Sequence, residues 1–138
     1  EHHLSDIFVH NALVFEEQAL TEDNKKPDFL FPNGKCYRNI QFPAEDLIVL
    51  GAKTTCKDRW RQVLTEADRV EVKFLFTLQQ GISKNQLKEM HDSQLTLVVP
   101  QKYISSFPRD YQDEIKDLLG FVLMVKEKQE HLPKHYFI

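Results

Sequence analysis

The chain has 138 residues, of which 41% are hydrophobic, and this size and composition suit one domain with one core. Its formal net charge of −3 gives no overall basic field, so any DNA site must be a local basic patch. Two cysteines, Cys36 and Cys56, form no CxxC pair, which argues against a zinc cluster or disulfide scaffold and favours an intracellular protein with free thiols. No signal peptide is recognisable, and the apolar runs are too short to cross a membrane.

The first half of the chain predicts a helix followed by three strands. Apolar residues at helical spacing, including Leu4, Phe8 and Ala12, predict an opening helix to about residue 13. Because the chain begins at Glu1 inside this helix, we expect part of the functional domain to lie upstream. Strands are predicted over residues 14–19, 28–31 and 47–54, with turn signals at 21–26 and 32–34.

The second half predicts helices alternating with strands. Trp60, Val63, Leu64 and Ala67 share one face of a helix predicted over residues 57–68, and this spacing favours a core role for Trp60 over base stacking. Ser83 is the expected N-cap of a short helix that runs to about residue 91. Strands are predicted over 70–78, where every even position is apolar, and over 95–99, and a long helix follows through 111–122.

This order of elements indicates one α/β domain over residues 1–138, with a mixed β-sheet flanked by helices. The predicted core is α-β-β-β-α-β, with additional helices after it. The same order resembles the core of the PD-(D/E)XK nucleases, the restriction-endonuclease-like fold. Element order alone does not establish activity, because one fold can carry many functions.

Two residues on neighbouring predicted strands suggest phosphodiester chemistry. Cutting DNA requires a divalent cation, and Mg²⁺ prefers carboxylate oxygens and water as ligands. Asp28 begins one strand, and Lys53 ends the strand predicted to pair with it. The usual nuclease motif has an acid two residues before the lysine, but this chain has Gly51 there. Glu66 on the following helix can replace that acid.

An alternative interpretation treats each of these charges as an ordinary surface residue. For Lys53 this interpretation is weak, because a lysine in so apolar a strand needs an anionic partner or ligand.

Three stretches, residues 25–32, 53–68 and 75–79, resemble the EcoRII-like Type II restriction endonucleases. The resemblance runs from the first helix to about residue 125. It implies that Asp28, Lys53 and Glu66 are active-site residues, with Asp28 and Glu66 as ligands of Mg²⁺. It also implies an acid on the first helix, which aligns best with Glu1 if one residue is skipped, with Glu17 as the alternative. Tyr37 matches a tyrosine that the family has near the active site, and we assign it no catalytic step.

Residues 57–61 form the expected DNA-reading element. Arg and Lys can donate to guanine and an acid can accept from cytosine, so Lys57, Asp58 and Arg59 suit C·G pairs in the major groove. The alternative is a solvated first helical turn in which Asp58 favours the helix dipole. The resemblance supports base reading, and we expect Arg61 to contact phosphate.

The resemblance also defines expected partners and targets. Similar enzymes cut double-stranded DNA as homodimers at sites with C·G pairs flanking a central A·T pair, CCWGG being the type sequence. A cognate cytosine methyltransferase is expected in the same system, and no membrane partner is expected. Two alternatives stay open, a DNA-binding module without catalysis and a repair or defence nuclease of looser specificity.

Other clusters are weaker candidates. The pairs His2 with His3 and His131 with His135 lack zinc-site spacing. Cys56 has no His or Asn arrangement that would support a nucleophile. The acids between residues 16 and 23 are interpreted as a solvated edge and turn.

Overall fold

The computed structural model describes residues 2–55 and 59–137, and its centre is a six-stranded sheet in sequential order. The first three strands pair antiparallel and the remaining pairs are parallel, which makes the sheet mixed, as predicted. The strands are β1 (Glu16–Glu17), β2 (Phe29–Phe31), β3 (Ile48–Lys53), β4 (Lys73–Thr77), β5 (Leu95–Val99) and β6 (Lys116–Asp117).

Six α-helices accompany the sheet within the described part of the chain. They are α1 (His2–His10), α2 (Gly34–Tyr37), α3 (Trp60–Val63), α4 (Lys84–Asp92), α5 (Arg109–Gln112) and α6 (Leu118–Glu130). Short 3₁₀ turns lie between them at Glu22–Asn24, Ala44–Asp46 and Gln101–Ser106, and another, Lys134–Phe137, follows α6. Across residues 2–55 and 59–137, none of the helices is long and apolar enough to cross a membrane.

Apolar side chains cover both faces of the sheet. Phe8 of α1 and Phe121 of α6 pack with Phe31 of β2 on one face, with ring centroids 5.3 to 6.1 Å apart. Trp60 and Leu87 pack on the other face with the helices α3 and α4. The result is a helix–sheet–helix sandwich whose parallel strands are buried on both sides.

The alternation predicted for residues 70–78 is wrong, because the strand in this region is covered on both faces. Only Lys73–Thr77 forms a strand, and the odd position Leu75 is fully buried. Val72 and Leu78, two of the even positions, lie outside the strand and are more than 40% exposed. A strand covered by helices on both faces has no polar face, so a period-two pattern does not define its bounds.

The opening elements are shorter than predicted. Helix α1 ends at His10, and Ala12 is exposed in the left-handed region with φ 59°, so it does not extend the apolar stripe. The strand predicted over residues 14–19 pairs only at Glu16–Glu17. Gln18, with φ 55°, turns the chain out of the sheet.

The long helix predicted through residues 111–122 is interrupted. Its first part is α5, after which Lys116 and Asp117 pair with β5 as a short parallel strand. Asp117 then caps α6 by accepting a hydrogen bond from the Gly120 amide at 2.6 Å. Leu119, an apolar residue within that predicted helix, is 65% exposed. The N-cap predicted at Ser83 is confirmed, because its side chain accepts from the Gln86 amide.

Candidate active site

Asp28 lies immediately before β2, beside the end of its antiparallel partner β3. Its Oδ2 accepts a hydrogen bond from the Ala52 amide at 2.7 Å, and its Oδ1 accepts one from Gln18 Nε2 at 3.1 Å. The side chain is only 13% exposed. The carboxylate is therefore fixed by the sheet edge while one side remains open to a ligand.

Lys53 is the last residue of β3, and the structure brings it to Asp28. Its Nζ lies 3.9 Å from Asp28 Oδ2, and its side chain is 23% exposed. Because β2 and β3 are antiparallel, the start of one and the end of the other meet at the same edge. The pair places one cation and one anion where a phosphate group could approach.

Glu66 joins the same region from the segment after α3. Burial raises the pKa of the Glu66 carboxyl, and the negative charge of Asp28 raises it further, while Lys53 and Lys25 oppose both effects. Asp28 and Glu66 are thus near enough to repel each other. Two partly buried carboxylates in one region are the ligand type that suits a hard divalent cation.

The two candidate ligands are carboxylates, the ligand type that Mg²⁺ prefers. Among residues 2–55 and 59–137 no group of three His, Cys, Asp or Glu side chains is arranged to hold a metal. Mg²⁺ commonly binds through one or two carboxylates and keeps several waters, whereas structural zinc needs four protein ligands. Asp28 and Glu66 match the first pattern.

The helix predicted over residues 57–68 is much shorter within the described chain. Only Trp60–Val63 is helical, and the backbone then turns before Glu66. Trp60, Val63 and Ala67 are fully buried, so the predicted apolar face is confirmed although the helix is not. The turn after the helix, rather than a helical face, carries Glu66 to the sheet edge.

Gly51 shows why the usual motif position holds no acid. A Cβ atom built on Gly51 would lie 2.6 Å from Cγ2 of Val63, which is fully buried in α3. No side chain fits there unless the Val63 side chain shifts. The segment that fills this space continues to Glu66. The segment that excludes an acid at position 51 therefore also carries one.

We expect Gly51→Ala to lower the free energy of unfolding by about 1 to 3 kcal/mol, since it overpacks a rigid contact with Val63. The double variant Gly51→Ala, Val63→Ala should lose less unfolding free energy than the sum of the two single losses. Urea unfolding of the four proteins measures the coupling. Strictly additive losses would contradict the steric explanation.

The two candidates for the first-helix acid have different outcomes. Glu1 lies outside the described residues. Glu17 is exposed on β1, where it pairs in register with Phe29, and its Oε1 accepts a hydrogen bond from Ser5 Oγ at 2.9 Å. Glu17 therefore lies beside the strand that Asp28 precedes, and its role as an active-site acid stays a prediction.

Tyr37 is buried, and its hydroxyl is engaged by the protein itself. It donates to the Glu22 carboxylate, with Oε2 at 2.7 Å, and accepts from the Arg69 amide at 3.2 Å. Burial, reinforced by the charge of Glu22, raises the pKa of Tyr37 well above its usual range. The hydroxyl therefore stays protonated at neutral pH.

The predicted DNA-reading element is only partly described. Lys57 and Asp58 lie outside the described residues, and Arg59 is exposed directly before α3. Arg61 forms an ion pair with Glu89 of α4, and its guanidinium lies 4.3 Å from the centre of the Trp60 ring. Trp60 itself is fully buried, so its predicted core role is confirmed.

Sequence reasoning missed the polar contacts made by the acids of residues 16–23. Glu22 binds Tyr37, and Glu16 accepts a hydrogen bond from the Gly34 amide at 2.9 Å, so these two acids are not simply solvated. Gln18, which contacts Asp28, was also missed. Their partners lie up to 46 residues away, and no local spacing signals such contacts.

Comparison with known proteins shows the family of this chain. Residues 1–122 match the family model described as EcoRII C terminal. The chain is 47% identical over 123 residues to the Type II restriction enzyme EcoRII of Escherichia coli, covering 88% of this chain and 30% of that enzyme. The chain thus spans less than a third of its relative.

Solved structures show the same fold. Metal-depleted Ecl18kI in complex with uncleaved, modified DNA matches with a TM-score of 0.71 at 19% identity, over 92% of this chain and 42% of that one. A second complex of metal-depleted Ecl18kI, with uncleaved DNA, matches with a TM-score of 0.70 at 17% identity and with the same coverage. The predicted restriction-endonuclease-like fold is thereby confirmed, and the chain belongs to the EcoRII C-terminal family as a Type II restriction endonuclease-related domain.

Proposed function

We propose that this chain is the catalytic domain of a Type II site-specific endonuclease that hydrolyses phosphodiester bonds in double-stranded DNA with Mg²⁺. The observation that carries the proposal is the convergence of Asp28, Lys53 and Glu66 at one sheet edge. Relatedness to EcoRII supports it, because that relative is a Type II restriction enzyme.

Each residue has a distinct proposed role. Asp28 and Glu66 would hold Mg²⁺, which when bound would screen the phosphate charge and lower the pKa of a bound water. Lys53 would donate to a phosphate oxygen and orient the attacking water. The Ala52 amide and Gln18 hold the Asp28 carboxylate in place, so the site needs little rearrangement before reaction.

The proposed target is a short site with C·G pairs flanking a central A·T pair, of the CCWGG type. Since the net charge of the chain is −3, affinity must come from a local patch, for which residues 57–61 are the candidates. Lys57 to Arg59 would read bases, and Arg61 would leave Glu89 to contact phosphate. We further propose a homodimer that cuts both strands, in a system whose cytosine methyltransferase protects the host.

Metal dependence tests this proposal. We expect the full-length protein to cleave phage DNA with Mg²⁺ or Mn²⁺, and to bind DNA with little cleavage when Ca²⁺ replaces them. A gel assay should show no products in EDTA. Full cleavage in EDTA would exclude the proposed metal site, while tight DNA binding without cleavage in Mg²⁺ would favour a non-catalytic binding module.

A further inference from the structure

The turn between β1 and β2 touches both segments that carry the candidate acids. At its start, Gln18 Nε2 donates to Asp28 Oδ1 at 3.1 Å. Further along, the Thr21 hydroxyl donates to the backbone carbonyl of Glu66. At its end, Lys25 Nζ donates to the hydroxyl of Thr65 at 3.1 Å. The turn therefore spans the distance between Asp28 and Glu66.

Glu22 lies at the middle of this turn and contacts two other segments of the chain. Its carboxylate accepts hydrogen bonds from the Tyr37 hydroxyl, with Oε2 at 2.7 Å, and from the Asp68 amide at 3.3 Å. The same hydroxyl accepts from the Arg69 amide at 3.2 Å. One carboxylate and one hydroxyl thus join the turn to the backbone just after Glu66.

Tyr37 is a firm anchor for these contacts. Its side chain is 3% exposed and belongs to the apolar cluster around Leu30 and Val49. The Arg69 guanidinium donates to the backbone carbonyls of Tyr37, Asn39 and Phe42, which fixes the loop after α2 to the same segment. Glu22 therefore joins the turn both to a buried tyrosine and to the segment that carries Glu66.

Glu22 is also suited to stay ionised. Partial burial acts to raise its pKa, but the hydrogen bonds from Tyr37 and from backbone amides, with the charge of Arg69, hold the pKa below its usual value. Hydrogen bonds to a charged acceptor are stronger than those to a neutral one, so the hydrogen bond from Tyr37 to Glu22 is a strong one.

We propose that Glu22 is a positioning residue that, through Tyr37 and the Asp68 amide, holds Glu66 opposite Asp28 for metal binding. The inference rests on the proposed function, and it assigns Tyr37 a supporting role rather than a chemical step. Residues that orient metal ligands without touching the metal typically change affinity or activity about 10- to 100-fold when they are replaced.

The test compares Glu22→Ala and Glu22→Gln in the full-length protein, with Ser83→Ala as a control that loses an exposed helix cap of α4. Two quantities are measured, Mn²⁺ affinity from the electron paramagnetic resonance of free Mn²⁺ and the Mg²⁺ concentration for half-maximal cleavage. Glu22→Ala should weaken Mn²⁺ affinity about tenfold or more and raise the Mg²⁺ requirement in parallel. Glu22→Gln should lose less than Glu22→Ala, since its amide oxygen can accept the hydrogen bonds from Tyr37 and the Asp68 amide, although without the charge.

Wild-type Mn²⁺ affinity and Mg²⁺ requirement in folded Glu22→Ala would overturn the inference, as would an equal loss in Ser83→Ala. If Glu22→Ala does not fold, Tyr37→Phe provides the test, because it removes the hydroxyl that joins Glu22 to the Arg69 amide. Unchanged metal affinity in folded Tyr37→Phe would then overturn the inference. Absence of cleavage by the wild type, with Mn²⁺ binding that Glu22→Ala weakens, would refute the proposed function and leave the positioning role standing.

Discussion

Asp28→Asn and Lys53→Ala are each expected to reduce the rate of DNA cleavage by about a thousandfold or more. Asp28 would lose a charge at the proposed metal site, and Lys53 would lose its contact with the phosphate. Both side chains lie at a partly open sheet edge, so the fold should survive. Single-turnover cleavage of one plasmid site measures the rates, and Lys88→Ala, at an exposed lysine of α4, is the matched control.

The double variant Asp28→Asn, Lys53→Ala should be scarcely slower than either single variant, because residues that act as one unit lose activity together. Rate losses that multiply in the double variant would show that the two residues act independently. Wild-type rates in either single variant would remove that residue from the proposed site.

Glu66→Gln should lose cleavage to a similar degree yet melt no lower than wild type in metal-free buffer. Burial and the charge of Asp28 raise the pKa of Glu66 in the folded state, so ionising Glu66 costs stability as pH rises above its unfolded value of about 4.5. The stability of Glu66→Gln relative to wild type should therefore increase with pH above that value. Active Glu66→Gln protein with unchanged melting would show that another residue supplies the second acid.

Arg59→Ala is expected to remove about 1 to 3 kcal/mol of discrimination between a cognate duplex and a single-pair variant, because it removes directional hydrogen bonds to a base. Arg61→Ala should instead weaken binding to all sequences alike and reduce the salt dependence by about one counterion. Affinities in Ca²⁺ at several salt concentrations separate the two effects. Lys84→Ala removes an exposed cation of α4 and serves as the control.

Full preference for the cognate duplex in Arg59→Ala would contradict base reading by this residue. Arg61 forms an ion pair with Glu89, and it must exchange that partner for a phosphate in order to bind DNA as proposed. If Arg61→Ala binds all duplexes as wild type does, at every salt concentration, the ion pair is its whole role.

The central strands could be predicted because each is a short apolar run between turn signals. The run from Leu47 to Thr54 and the run from Leu95 to Val99 agree with β3 and β5 to within a residue. Strand β6 could not be predicted, since its two residues are a strand only through pairing with β5. The local periodicity of residues 111–122 favoured one helix, and tertiary pairing outweighed it.

The candidate site was predictable where it depends on the order of the strands along the chain. Asp28 and Lys53 are at the facing ends of two antiparallel strands, which the order of elements already indicates. The contact between Gly51 and Val63, and the bond between Glu22 and Tyr37, depend on how separate segments pack. No spacing in the sequence signals such contacts, so the supporting residues emerge only from the structure.

Mapping the ends of cleaved DNA tests the central claim most directly. The full-length protein is incubated with phage DNA and Mg²⁺, and the new ends are sequenced alongside a reaction with Asp28→Asn. We predict that the ends fall at one short sequence with C·G pairs around a central A·T pair, and that Asp28→Asn yields none. Ends scattered without a common sequence, or intact DNA despite tight binding, would contradict a Type II site-specific endonuclease.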